Sequence, residues 1–95
     1  MTPRSHERFS AHVMGRVQGV GFRAFVYDAA HKLGIAGSVR NLRSGGVLVE
    51  AEGPRERLER LLHRLEAGPP AAKVEQVSVK WTEPEGLTRF TILPT

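Results

Sequence analysis

Along this chain the spacing of apolar residues switches back and forth between two periods, and the order of those switches limits the folds open to it. From Arg8 to Met14 the apolar Phe9, Ala11 and Val13 alternate with Ser10 and His12, the period-2 pattern of a half-buried strand. Between Phe22 and Leu33 the apolar positions Phe22, Phe25, Val26, Ala29, Ala30 and Leu33 take helical spacing, and Gly34 is placed to end that helix in a left-handed cap. Ala36–Leu42 and Val47–Glu52 return to strand, with Arg43-Ser44-Gly45-Gly46 as the hairpin turn and Val47, Val49 and Ala51 on one face. Gly53-Pro54 breaks the pattern where a helix can begin. Leu58, Leu61, Leu62 and Leu65 then form a narrow stripe on an Arg/Glu-rich helix that Gly68-Pro69-Pro70 stops. Val74–Trp81 reads as a further strand, with Val77, Val79 and Trp81 alternating against Ser78 and Lys80, and Phe90–Leu93 as a short last strand on a sheet edge.

The order β-α-β-β-α-β predicts an α+β fold, a ferredoxin-like split-βαβ sandwich. Its antiparallel sheet has order 4-1-3-2 plus a short edge strand, and two helices cover one face. The 95 residues allow one domain, expected over 8–95, with the polar, proline-containing segment 1–7 as a flexible lead. There is no cysteine, so no disulfide, thiolate metal site or thiol nucleophile is available, and packing must supply the stability. No apolar run approaches membrane-spanning length and Met1–Arg8 lacks the apolar core of a secretory signal, so a cytoplasmic protein without membrane contact is expected. The formal charge of +4 leaves anionic partners open. The basic residues, among them Arg8, Arg16, Arg40, Arg43, Arg55, Arg57, Arg60 and Arg64, are nevertheless scattered. Most are expected on an ordinary solvated surface, without nucleic-acid binding and with the chain a monomer.

Chemistry concentrates in Gly15-Arg16-Val17-Gln18-Gly19-Val20-Gly21-Phe22-Arg23. Its glycines let successive backbone N–H groups converge on a small anion at the start of the first helix, and Arg23 offers a planar fork of donors to the same oxygens. In the predicted topology strands one and two run parallel with strand three between them, so the glycine turn and Asn41 emerge at the same sheet edge. Two strand spacings, about 10 Å, separate them at the backbone, within convergent reach of the Arg23 and Asn41 side chains.

These residues resemble the acylphosphatases. The family's first motif is matched by Gly15 to Arg23 and its second by Gly37-Ser38-Val39-Arg40-Asn41, continued by Gly45, Val47 and Gly53. The resemblance implies hydrolysis of carboxyl phosphates to a carboxylate and inorganic phosphate, without metal or cofactor. Carried over to this chain, it implies that Arg23 binds the phosphoryl group and Asn41 orients the attacking water. The backbone N–H groups of Gln18, Gly19, Val20, Gly21 and Phe22 would complete the anion site. The leaving group of a mixed anhydride is a carboxylate that needs little acid assistance, so holding the phosphoryl oxygens and aligning water is the main task. The sole aspartate, Asp28, lies within the first helix, in keeping with a site that has no carboxylate base. One position departs from the family: Ser38 stands where an aromatic residue is usual, which implies weaker apolar support or substrate contact near the site.

Two other readings fit less well. The run Gly21-Phe22-Arg23-Ala24-Phe25-Val26-Tyr27 faintly resembles an RNA-recognition motif, but it has helical spacing and follows the first strand, whereas that motif occupies the third strand. It also resembles the acylphosphatase-like module of carbamoyltransferases, which are long proteins. The glycine turn lacks the Gly-Lys-Ser/Thr ending of a nucleotide P-loop. His6, His12, His31 and His63 have no metal-ligand spacing on a common face.

Overall fold

The computed structural model describes residues 6–95. Its elements are β1 (His6–Arg16), α1 (Phe22–Leu33), β2 (Ala36–Asn41), β3 (Val47–Pro54), α2 (Arg55–Ala67), β4 (Lys73–Thr82) and β5 (Phe90–Ile92). The sheet order is β4-β1-β3-β2-β5. Strand β1 pairs antiparallel with both β3 and β4, and β2 pairs antiparallel with β3, which gives the expected 4-1-3-2 arrangement. The sheet is mixed, however, because β5 pairs parallel with β2. The chain leaves β4 on one edge, crosses to the opposite edge through residues 83–89, and arrives beside β2 running the same way.

Both inward faces follow the alternation in the sequence. Phe9, Ala11 and Val13 of β1 and Val47, Val49 and Ala51 of β3 are buried beneath Phe22, Val26, Ala29 and Ala30 of α1 and Leu58, Leu61 and Leu65 of α2. Each large side chain removed from water in this layer stabilises the fold by roughly 1.5–3 kcal/mol, and the Arg/Glu face of α2 is left in solvent. Gly34 caps α1 in the left-handed conformation and donates to the Ala30 and His31 carbonyls, as its position after Leu33 predicts. Helix α2 begins at Arg55, with Pro54 as its cap and the last residue of β3. Edge strand β4 is only partly covered. Val74, Val77 and Trp81 pack against the core, Trp81 edge-on to Phe9 at 5.6 Å between ring centroids, while Val79 is 39% exposed.

Several boundaries move. The expected flexible lead falls at 1–5 outside the described residues, but His6 and Glu7 belong to β1, where they pair with Pro54 and Gly53. At its other end β1 continues to Arg16, because a bulge between Met14 and Gly15 carries it past the alternating stretch and pairs Gly15 with Val74. Gly15 is therefore part of the sheet and not of the turn. A Cβ there would lie 2.2 Å from the Lys73 carbonyl oxygen, so its role is close approach of two strands.

Arg8 corrects the expectation of a solvated surface charge. It is 7% exposed and lies on the face of the sheet opposite the helices. Its guanidinium sits 3.1 Å from Glu52, 3.4 Å from Glu50 and 3.8 Å from Glu85. Glu52, itself 2% exposed, also accepts hydrogen bonds from the backbone N–H groups of Glu85, Gly86 and Leu87. Burial pushes the Glu52 carboxyl up, but these three N–H donors and Arg8 together outweigh it and hold the group below its usual range. One carboxylate thus fastens the 83–89 crossover and delivers β5 to the edge of β2.

Candidate active site

The bulge and the end of β1 release the chain into a short loop over residues 17–21 that enters α1 directly. Gly19 and Gly21 take φ angles of +74° and +78°, which disfavour other residues, and neither would place a Cβ within 4 Å of another heavy atom. Gly21 caps α1 in the left-handed conformation with no side-chain capping bond, and the first turn carries no acidic residue. Phe25 N–H opens the helical series by donating to the Gly21 carbonyl at 3.0 Å. Among the described residues, the backbone N–H groups of Gln18, Gly19, Val20, Gly21 and Phe22 have no protein acceptor. A run of unpaired donors beside a helix N-terminus without a side-chain capping bond is a natural seat for an anion.

Arg23 stands on the first turn of α1, half-buried, and among the described residues it forms no ion pair. Asn41 ends β2 on the same face as Val39, two residues before it, which is the face that the helices cover. Its Oδ1 is buried without a hydrogen-bond partner. A buried carbonyl oxygen left unpaired costs roughly 1–3 kcal/mol, so it marks a position where a donor from outside the protein would be gained.

Arg23 and Asn41 line one cavity of about 280 Å³ with Val17, Gly19, Gly21, Phe22, Ala24 and Ile92. The sequence-predicted residues are therefore brought together, apart from Gln18 and Val20, which flank the cavity without lining it. Apolar Ile92 was not foreseen as a site residue. It arrives through the parallel pairing of Val39 with Ile92, a tertiary contact that no local pattern announces. Ser38 corrects another expectation. It pairs with Glu50 and Thr91 on the strand position that faces away from the helices, and it lines a separate groove with Arg8 and Glu85. Its departure from the family pattern does not reach the cavity, because neighbouring strand residues point to opposite faces.

A larger cavity, about 940 Å³, lies at the opposite end of the sheet, near His6, Tyr27, His31, Arg57 and Glu52. Size does not make it the better site. Its buried carboxylate is already saturated by Arg8 and three backbone donors, whereas the smaller cavity holds an unpaired oxygen, an unpaired guanidinium and unpaired N–H groups. Among the described residues no group of three or more His, Asp or Glu side chains converges as a metal cluster. No helix of the described chain is long and apolar enough to cross a membrane.

The family model described as Acylphosphatase matches residues 9–92. A relative described as an acylphosphatase from Thermus thermophilus is 52% identical over 85 residues, covering 90% of this chain and 97% of the relative. Among solved structures, the acylphosphatase from Bacillus subtilis superposes with a TM-score of 0.89 at 41% identity, covering 92% of this chain and 98% of that one. An acylphosphatase from Coxiella burnetii superposes with a TM-score of 0.92 at 34% identity, covering 98% and 100% respectively.

Proposed function

This chain belongs to the acylphosphatase family and is an acylphosphatase hydrolase; from that premise we propose that it cleaves carboxyl phosphates, R–CO–OPO₃²⁻, with Arg23 and Asn41 dividing the work. The phosphoryl oxygens bind the backbone N–H groups of Gln18 to Phe22 and the Arg23 guanidinium. Water held by Asn41 attacks phosphorus in line with the departing carboxylate. The new P–O bond forms as the anhydride P–O bond breaks, the bonding pair leaves on the carboxylate oxygen, and the water protons end on phosphate or in solvent. Because the leaving group is already a weak base, no general acid is required, and catalysis reduces to fixed donors and an aligned nucleophile. A neutral amide suits the second task, since a carboxylate beside Arg23 would repel the substrate dianion. The observation that carries this reading is the buried, unpaired Asn41 Oδ1 in the same cavity as Arg23 and the glycine loop. That oxygen can accept a hydrogen bond from water.

The test is hydrolysis of benzoyl phosphate in the presence of EDTA, with inorganic phosphate as a competitive inhibitor. Arg23→Ala should lower kcat/KM by about 10²–10³-fold or more and abolish phosphate inhibition. Asn41→Ala should lower kcat by a similar factor while phosphate still inhibits. Full activity in either variant, or complete loss of wild-type activity in EDTA, refutes the assignment.

A further inference from the structure

Between the end of β1 and the start of α1 the loop is anchored in the core by Val17, with Val20 packed against it, but it makes few hydrogen bonds. Among the described residues, the hydrogen bonds fastening residues 17–20 to the rest of the protein come from one side chain, Gln18. Its Nε2 donates to the Leu42 carbonyl at 2.8 Å and to the Gly46 carbonyl at 2.8 Å. Those two carbonyls also close the β2–β3 turn, accepting from Gly45 N–H and Leu42 N–H at 3.0 Å each. His12, on the adjacent strand, holds the same turn through a hydrogen bond between Nε2 and the Gly45 carbonyl at 3.2 Å. Leu42 is joined to Asn41 by one peptide unit. The Gln18 amide is thus a direct link between the loop that faces the anion and the turn that follows the water-holding asparagine.

We propose that the Gln18 side chain is a positioning residue for hydrolysis: by tying the phosphate loop to Leu42 and Gly46 it sets where Asn41 stands relative to the phosphoryl group. This rests on the roles assigned above to the glycine loop and Asn41. A primary amide is the group for the purpose, because one nitrogen offers two N–H donors, one for each carbonyl. The link acts on the step that needs both halves of the site. Phosphate binding uses only the loop and Arg23, so it tolerates a small shift of Asn41. Attack in line does not, since a misplacement of about 1 Å can cost about 10²-fold in rate.

Gln18→Met keeps the length of the side chain and removes both donors. Its kcat on benzoyl phosphate should fall about 10–100-fold, while the inhibition constant of inorganic phosphate stays within about 3-fold of wild type. In an Asn41→Ala background the same substitution should change kcat by less than about 2-fold, because the link works through Asn41. Gln18→Glu, which sets carboxylate oxygens against the two carbonyls, should lose at least as much as Gln18→Met. Phosphate inhibition of Gln18→Met also reports that this variant retains a folded loop. An unchanged kcat in Gln18→Met overturns the proposal, as does a loss that simply multiplies with that of Asn41→Ala, or a phosphate constant that worsens in step with kcat. Full activity in Asn41→Ala alone would remove the underlying reading as well, so the two failures are distinct.

Discussion

Glu52→Gln probes the contact that closes the sheet. The substitution keeps the shape of the side chain but turns one of two acceptor oxygens into an N–H₂ group. Glu52 Oε1 accepts from Arg8 at 3.1 Å and Glu85 N–H at 3.0 Å, and Oε2 accepts from Gly86 and Leu87 N–H at 2.8 Å each. Whichever way the amide turns, one of these pairs meets a donor in place of an acceptor. Hydrogen bonds to a charged group contribute about 1.5–3 kcal/mol each, and the exposed loop residues can recover water, so the net loss should be about 2–4 kcal/mol. For a domain of this size that corresponds to a fall in Tm of roughly 10–25 °C. Urea denaturation followed by circular dichroism measures it, and its pH dependence isolates the charge. The folded carboxyl titrates below the ordinary value of about 4.5. Its contribution is therefore complete above that value and is lost as pH falls through the lower folded value. The gap between wild type and variant should be constant near neutrality and shrink on acidification below about pH 4.5. Equal stability at pH 7, or a gap that widens in acid, would refute the reasoning.

Two further expectations concern the end of β1 and the phosphate site. Gly15→Ala should cost about 2–4 kcal/mol, because its Cβ would lie 2.2 Å from the Lys73 carbonyl oxygen at a φ of +126°, yet the folded fraction should keep the wild-type phosphate inhibition constant. Chemical denaturation together with inhibition kinetics separates the two effects. Inorganic phosphate at about one hundred times its Kd should stabilise the wild type by about 2.7 kcal/mol in a thermal shift assay. The gain should survive in Asn41→Ala and vanish in Arg23→Ala.

Much of this molecule is legible without coordinates, and the reasons differ by element. Strands β1 and β3 declare themselves because each has one dry face and one wet face, which forces strict alternation in Phe9, Ala11, Val13 and in Val47, Val49, Ala51. The helices show in the spacing of Val26, Ala29, Ala30 and of Leu58, Leu61, Leu65, and the glycines punctuate both. Strand β4 is read correctly as a strand but not in its exposure, since an edge position loosens the link between pattern and burial. The sequence points to the backbone of Gln18 alone. A long amide among glycines was the available signal for a bridging role, although the sequence holds no record of which carbonyls it reaches.

What the residues alone determine is whatever depends on local period and backbone freedom: the order of elements, the inward faces, the turn that frees its N–H groups and, through that order, the placing of Arg23 and Asn41 at one end of the sheet. Tertiary structure decides what depends on contacts between distant segments. It moves Gly15 from the turn into a bulge against β4 and turns Ser38 away from the cavity. It also brings Ile92 beside Val39 and ties the exposed 83–89 crossover to the buried pair Arg8 and Glu52. Arg8 lies forty-four residues from Glu52 along the chain, and nothing in its own neighbourhood sets it apart from the solvated arginines. For Arg8 and Glu52 the fold removes both charges from water, and that exchange of solvent for a specific contact is settled in three dimensions.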